Sequence, residues 1–184
     1  MIDRIFNLKP FCNNQSIPDI QITSTVSQQN QRLKIGYLIQ GDLSQIALPK
    51  ARNIVKRKHK LWQTTCFEFF LAIFNSPQYW EFNLAPTGDW NIYRFTNYRR
   101  RMTESKAFNE LPLKRVIQKN NSTYQLETEI NLQKIISGDT PLEIAITTVI
   151  EDSNHNISYW ALIHPGTQPD FHRRDSFITL NIEH

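Results

Sequence analysis

The chain has 184 residues, a length that fits one domain with a sizeable buried core. Hydrophobic residues make up 40% and charged residues 21%, and the many Asn, Gln, Ser and Thr residues exclude a charged disordered chain. The formal net charge of +4 comes from short basic runs, which we interpret as solvated loops and strand edges and not as a nucleic-acid surface.

The chain carries no recognisable targeting or membrane segment. Its first residues, MIDRIFNLKPF, lack an apolar signal-peptide core, and no later segment reaches the roughly 18 uncharged apolar residues of a membrane helix. We therefore expect a cytoplasmic protein with no membrane partner. Two cysteines, Cys12 and Cys66, are too few for a disulfide framework, so we expect reduced thiols, with Cys66 buried.

The first half of the chain predicts extended structure. A short apolar segment, Ile5 to Leu8, precedes a hairpin between Ile20 to Val26 and Leu33 to Gln40. The segment from Ile46 to Val55 is ambiguous between a strand broken by Pro49 and a short helical turn. An aromatic-rich stretch from Leu61 to Met102 then holds three of the four tryptophans. Turns rich in Pro, Gly, Asn and Asp break this stretch into a predicted three-stranded antiparallel meander, with strands at Thr65 to Phe74, Tyr79 to Ala85 and Trp90 to Thr96.

The second half continues in the same way. Thr103 to Asn109 is either a helical turn or a loop, and Asn131 to Ile136 predicts one helical turn capped by Asn131. The remaining apolar runs predict two hairpins and a closing strand, formed by Leu113 to Lys119 with Tyr124 to Ile130, Leu142 to Glu151 with Ile157 to Ile163, and Phe177 to Ile182. About ten short strands without a βαβ rhythm predict an all-β fold, an antiparallel β-sandwich forming one domain over residues 1–184.

Alternation along the meander gives each strand two distinct faces. In the first strand Phe67 and Phe69 point one way and Glu68 and Phe70 the other, and both faces are apolar enough for a central strand. A carboxylate on a covered strand must find hydrogen bonds or a cation, or its pKa must shift. The neighbouring strands add further Glu, Asn, Trp and Arg side chains, a combination suited to sugar hydroxyls and to the apolar face of a pyranose; they are Glu81, Asn83, Trp90 and Arg94.

The loop from His164 to Asp175 concentrates ionisable residues beside Trp160. One interpretation makes His164, Asp170 and His172 metal ligands or an acid/base set, and the other is an ordered loop capped by its own side chains. The histidine spacing matches neither H-x-H nor HExxH, and the chain has no nucleophile elbow, P-loop or GxGxxG. We therefore predict no metal site, no cofactor and no catalytic residues.

Three stretches carry a resemblance to a known family: LWQTTCFEFFL, YWEFNLAPTGDWNIYRFTNYR and YWALIHPGTQPDFHRRDSF. They resemble small bacterial DOMON-like proteins with a family 9 carbohydrate-binding-module type domain, from about Leu33 to the end of the chain. The resemblance implies a β-sandwich with a non-catalytic cleft in which two tryptophans clamp a terminal sugar beside a carboxylate and an arginine. It makes Trp62 the first clamp, Glu68 the carboxylate, Arg94 the arginine and Trp160 the second clamp.

Three alternatives stay open. Trp62 would instead seal the end of the sandwich while Glu68 and Arg94 form a buried ion pair. Haem-binding relatives use a methionine with a histidine or lysine as axial ligands, and Met102, the internal methionine, follows three arginines suited to propionates. A carboxylate pair, Glu68 with Glu81, would serve a glycosidase.

The prediction adopted here is non-catalytic carbohydrate binding by a monomer or dimer. Its candidate ligand-binding residues are Trp62, Glu68, Glu81, Asn83, Trp90, Arg94, Trp160, His164 and His172.

Overall fold

The structure is a computed structural model that describes residues 4–11, 17–117, 122–136 and 140–180. Within these ranges the chain forms twelve strands: β1 (Arg4–Pro10), β2 (Ile20–Gln29), β3 (Arg32–Gly41), β4 (Cys66–Ile73), β5 (Tyr79–Leu84), β6 (Trp90–Phe95), β7 (Thr103–Glu104), β8 (Leu113–Ile117), β9 (Thr123–Asn131), β10 (Leu142–Glu151), β11 (Ile157–Ala161) and β12 (Ile178–Leu180). The predicted meander and all three predicted hairpins are confirmed.

Helical structure in the described residues is limited to single 3-10 turns, at Leu43–Gln45, Leu61–Gln63, Leu132–Lys134 and Arg174–Ser176. The predicted cap is confirmed, because the Asn131 side chain accepts a hydrogen bond from the Gln133 amide at 3.0 Å. The ambiguous segment after Ile46 is irregular, and the segment after Met102 begins with the short strand β7. Cys12, Lys119 and Ile182, for which predictions were made, lie outside the described residues.

All strand pairs are antiparallel, and they build two layers. One layer runs β7-β6-β5-β4-β10-β11, with β12 beside the start of β10, and the other runs β1-β2-β3-β9-β8. Strand β1 joins the layers because Arg4 to Leu8 pair with β2 while Lys9 and Pro10 pair with β11. The result is the predicted antiparallel β-sandwich. No helix in the described ranges has the length and apolar character of a membrane span.

The main core lies between the two layers. Its rings meet across the gap, where the Phe67 ring lies 5.1 Å from that of Tyr37 and stacks at 5.5 Å on that of Tyr124. Within one layer, the fully buried Phe69 stacks on Phe82 with 4.3 Å between ring centroids. These contacts bury one face of β4.

The other face of β4 is buried as well. Together with the same side of β5, β6 and β10 it forms what we call the outer face, which points away from the main core and is covered by loops. Its apolar residues are Phe70, Ala72, Tyr79, Tyr93, Phe95, Ala145 and Phe177, and each is at most 9% exposed. The prediction of a central strand covered on both sides is therefore confirmed for β4, and Glu68 lies on its outer face among these residues.

Candidate functional site

Three polar side chains of adjacent strands form the floor of the candidate site: Glu68 of β4 and Glu81 and Asn83 of β5. Glu68 lies directly opposite Asn83, and Glu81 lies two pairs further along, opposite Phe70. Successive residues of a strand point to opposite sides, so residues two apart share a face. The three polar groups therefore lie together on the outer face.

Glu68 is a buried carboxyl group that is only partly satisfied. The residue is 2% exposed, and its Oε1 atom has no hydrogen-bond partner among the described residues. Burial raises the pKa of Glu68 well above its usual value, and the nearby charge of Glu81 raises that pKa further. The sequence-based expectation that this carboxyl group must find a partner or shift its pKa is met by the shift. An unpaired buried carboxyl oxygen is costly, which makes it a candidate for contact with a ligand.

Glu81 has partners, but burial affects its charge as well. Its Oε1 accepts a hydrogen bond from Asn83 Nδ2 at 2.7 Å, which favours the ionised form, yet burial outweighs this and raises the pKa of Glu81 to about 7. His172 Nε2 lies 3.9 Å from Glu81 Oε2. Because burial lowers the pKa of His172 to about 4, this contact is not an ion pair at neutral pH.

His172 belongs to the site and is held by aromatic neighbours. Its Nδ1 is 2.8 Å from the Tyr79 hydroxyl, and its ring meets the edge or face of Phe70 at 5.2 Å and Phe95 at 5.1 Å. The preceding Asp170 fixes the start of this segment by accepting a hydrogen bond from the His172 amide at 3.1 Å. The long loop after β11 thus brings an imidazole onto the outer face.

Two aromatic side chains form what we call the roof, Trp62 and Phe171. Both are only partly buried, and both pack against the apolar residues of the outer face. The Trp62 ring lies edge-on to Tyr93 at 5.7 Å, and the Phe171 ring lies edge-on to Tyr159 at 5.9 Å. Trp62 is carried by a single 3-10 turn and Phe171 by a loop, so neither depends on strand pairing.

The structure does not bring Arg94 to this site. Arg94 pairs with Trp80 on the side of the layer that faces the main core, and at its exposed edge it donates a hydrogen bond to Gln78 at 2.6 Å. Glu68 lies on the outer face, so the buried ion pair between Glu68 and Arg94 that we considered does not form. The physical reason is alternation: in β6 the outer face is occupied by Asn91 and Tyr93, and Arg94 must point the other way.

Trp90 and Trp160 are likewise on the core side and are each 3% exposed. The Arg57 guanidinium covers Trp90 at 4.3 Å, and Trp160 Nε1 donates a hydrogen bond to Ser158 Oγ at 3.0 Å. These two rings therefore stabilise the sandwich, and the predicted cleft that joins Trp62 with Trp160 is wrong. A sheet layer separates them.

His164 and Met102 have other surroundings. His164 Nε2 is 2.8 Å from the Lys9 carbonyl oxygen, and its ring lies edge-on to Phe11, which places it beside β1. Met102 is 43% exposed just before β7. In the parts of the chain that are described, no three metal-ligating side chains come together.

Sequence reasoning missed Phe171. The one clue in the sequence was that Phe171 directly precedes His172 in the ionisable loop. The contact of this loop with the outer face, however, joins segments about a hundred residues apart. Such a long-range contact leaves no periodic pattern in the sequence.

No family model matches the chain, and no curated protein matches it in sequence. In structure the chain is similar to a Bacteroides uniformis protein to which carbohydrate binding has been provisionally assigned. The two sequences are 14% identical, the match covers 96% of this chain and 84% of that one, and the TM-score is 0.69. This comparison shows a shared fold.

Two structures of a family 9 carbohydrate-binding module from Caldicellulosiruptor kristjanssonii are similar to a smaller extent. The complex with glucose is 15% identical, with coverage of 80% of this chain and 69% of that chain and a TM-score of 0.46. The complex with cellotriose is 15% identical, with coverage of 85% and 71% and a TM-score of 0.47.

Proposed function

We propose that the outer-face site binds a carbohydrate without catalysing a reaction on it. The observation that carries this proposal is the buried Glu68 carboxyl group, whose Oε1 has no partner among the described residues, on a face against which the partly exposed rings of Trp62 and Phe171 pack. The provisional assignment of the similar Bacteroides uniformis protein supports the same class of ligand.

A sugar matches the two kinds of surface that the site offers. Its hydroxyl groups donate hydrogen bonds, and the carboxyl oxygens of Glu68 and Glu81 accept them, while the Asn83 amide supplies a further polar contact. Its C–H faces pack against aromatic rings, which the roof provides. The proposed ligand contacts are Trp62, Glu68, Glu81, Asn83 and His172 from the sequence prediction, with Phe171 in the place that was predicted for Trp160.

Access to the floor requires the roof to move. Glu68, Glu81 and Asn83 are at most 5% exposed, so a ligand that touches them must displace side chains that cover the outer face, among which Trp62 and Phe171 are partly exposed. Both residues lie outside the strands, and a loop can shift without breaking strand pairing. We expect binding to be accompanied by a change in the environment of Trp62, which tryptophan fluorescence would report.

The variant Trp62→Ala tests the proposal. Loss of one aromatic contact with the ligand corresponds to about 1–3 kcal/mol, so the affinity should fall by roughly 5- to 150-fold. A glycan screen identifies the ligand, and calorimetry on both proteins then measures the affinities. Unchanged thermal unfolding would show that the loss is one of binding.

Phe74→Ala is a matched control, since Phe74 is an exposed aromatic residue just beyond β4 and its removal should leave the affinity unchanged. Failure of every glycan to bind, or equal affinities for the wild type and Trp62→Ala, would contradict the proposal. Release of a shorter sugar during the incubation would instead favour hydrolysis by Glu68 and Glu81.

A further inference from the structure

The floor places two carboxyl groups on neighbouring strands, and among the described residues neither group forms an ion pair with a lysine or an arginine. Glu68 is 2% exposed and Glu81 is 5% exposed, and both side chains lie on the outer face. The other titratable or charged groups that face this pair from the surrounding strands and loops are Cys66, Tyr79, Tyr93, Arg99 and His172, with Glu104 and Asp170 beyond them.

None of these groups neutralises the pair at neutral pH. The Arg99 guanidinium lowers the pKa of Glu81 only in part, and its hydrogen bond goes to Asp170 at 2.8 Å. Burial leaves the His172 imidazole neutral, because its pKa falls to about 4. Burial also raises the pKa of the Cys66 thiol, so that group stays neutral.

A ligand that brings its own positive charge would complete this arrangement. An ammonium group donates up to three hydrogen bonds and would pair with the free Oε1 of Glu68 and with Glu81. Electron-rich rings also attract cations, and Trp62 and Tyr93 lie at this face. We propose that the preferred ligand of the outer-face site is a sugar that carries a protonated amino group.

This inference rests on the proposed carbohydrate-binding function and names the class of sugar. A bare metal ion fits less well, because the described residues offer no set of three metal-ligating side chains. The aromatic roof, in turn, offers no ligands to a metal but suits the apolar face of a pyranose ring.

The test compares three sugars that differ at one position, glucosamine, glucose and N-acetylglucosamine, by calorimetry on the full chain at pH 6. Glu81 is largely protonated at this pH, so glucosamine must displace a proton to form a charge-assisted hydrogen bond with the resulting carboxylate, and this bond should make it bind about tenfold or more tighter than the other two. Binding of the cation should also release protons from the floor, which calorimetry in two buffers of different ionisation enthalpy detects. The neutral sugars should release none.

Glu68→Gln and Glu81→Gln should each reduce the preference for glucosamine, and both variants should fold because they remove a buried ionisable group. The matched control is Glu129→Gln, since Glu129 is an exposed carboxylate paired with Arg32 at 3.3 Å on the other layer, and this variant should keep the preference.

Equal affinities for the three sugars would overturn this inference and leave the proposed function intact, whereas no binding of any glycan would overturn both. Choline provides the charge without the pyranose ring, and we expect it to bind more weakly than glucosamine. Binding of choline as tight as that of glucosamine would overturn the assignment to a sugar.

Discussion

Replacing Phe69 by alanine is expected to lower the free energy of unfolding by about 3–5 kcal/mol. The Phe69 ring is fully buried in the main core and stacks on Phe82, so truncation removes apolar contacts and leaves a cavity between two layers that strand pairing prevents from collapsing. Urea denaturation, with the midpoint and slope fitted together, measures the loss.

A phenylalanine of the same strand region serves as the control. Phe74 follows β4 directly and is 47% exposed, so Phe74→Ala should change the free energy of unfolding by less than about 1 kcal/mol. A loss of similar size in the two variants would mean that the ring of Phe69 is not the buried one.

The second large effect is expected from Glu81→Gln and depends on pH. Burial raises the pKa of Glu81 to about 7 from its usual value of 4.5. Between these two values the folded protein binds the proton more tightly than the unfolded chain, so the stability contributed by Glu81 is complete below about pH 4.5 and is lost as the pH rises to about 7. Because glutamine does not titrate, the free energy of unfolding of Glu81→Gln does not fall in this way. As the pH rises from 4.5 to 8, the free energy of unfolding of the variant should therefore rise by on the order of 3 kcal/mol relative to that of the wild type.

Subtraction of the two stability curves removes what the two proteins share and leaves the effect of Glu81, which includes its influence on the pKa of Glu68. The neutral state of His172 contributes in the opposite direction, because its lowered pKa makes the wild type less stable as the pH falls from 6.5 towards 4, but it does so in both proteins. Glu129→Gln, at an exposed position, should give a flat difference over the same range. A flat difference for Glu81→Gln as well would show that Glu81 titrates as a solvated carboxyl group.

Local patterns were sufficient to predict most of the fold. Alternating apolar residues and turns rich in Pro, Gly, Asn and Asp depend only on neighbours in sequence, which is why the meander at β4 to β6 and the hairpins were predicted close to their observed bounds. Within β4, alternation also separated Phe67 and Phe69 from Glu68 and Phe70, as the structure has them. The burial of Glu68 and its shifted pKa follow from the same pattern.

The candidate site was predicted less well, because a strand covered on both faces does not reveal what covers it. The predicted cleft joined Glu68 to Arg94 and Trp160, because alternation within single strands does not fix which faces of neighbouring strands coincide; the observed register does. Nothing local places Trp160 or Phe171, since their positions depend on how β11 and the loop after it meet the distant strand β4. The candidate site therefore keeps five of the predicted residues and has Phe171 in the place predicted for Trp160; the five are Trp62, Glu68, Glu81, Asn83 and His172.

Strand β1 pairs with strands of both layers, and this affects how the protein would assemble without it. This strand covers the free side of β2 with one part and the free side of β11 with the other. A chain that lost Arg4 to Pro10 would present two unpaired strand edges in different layers, and such edges readily accept a strand from another molecule. We therefore expect a chain shortened by this strand to pair edge to edge with other copies and to form dimers or aggregates, which size-exclusion chromatography would detect.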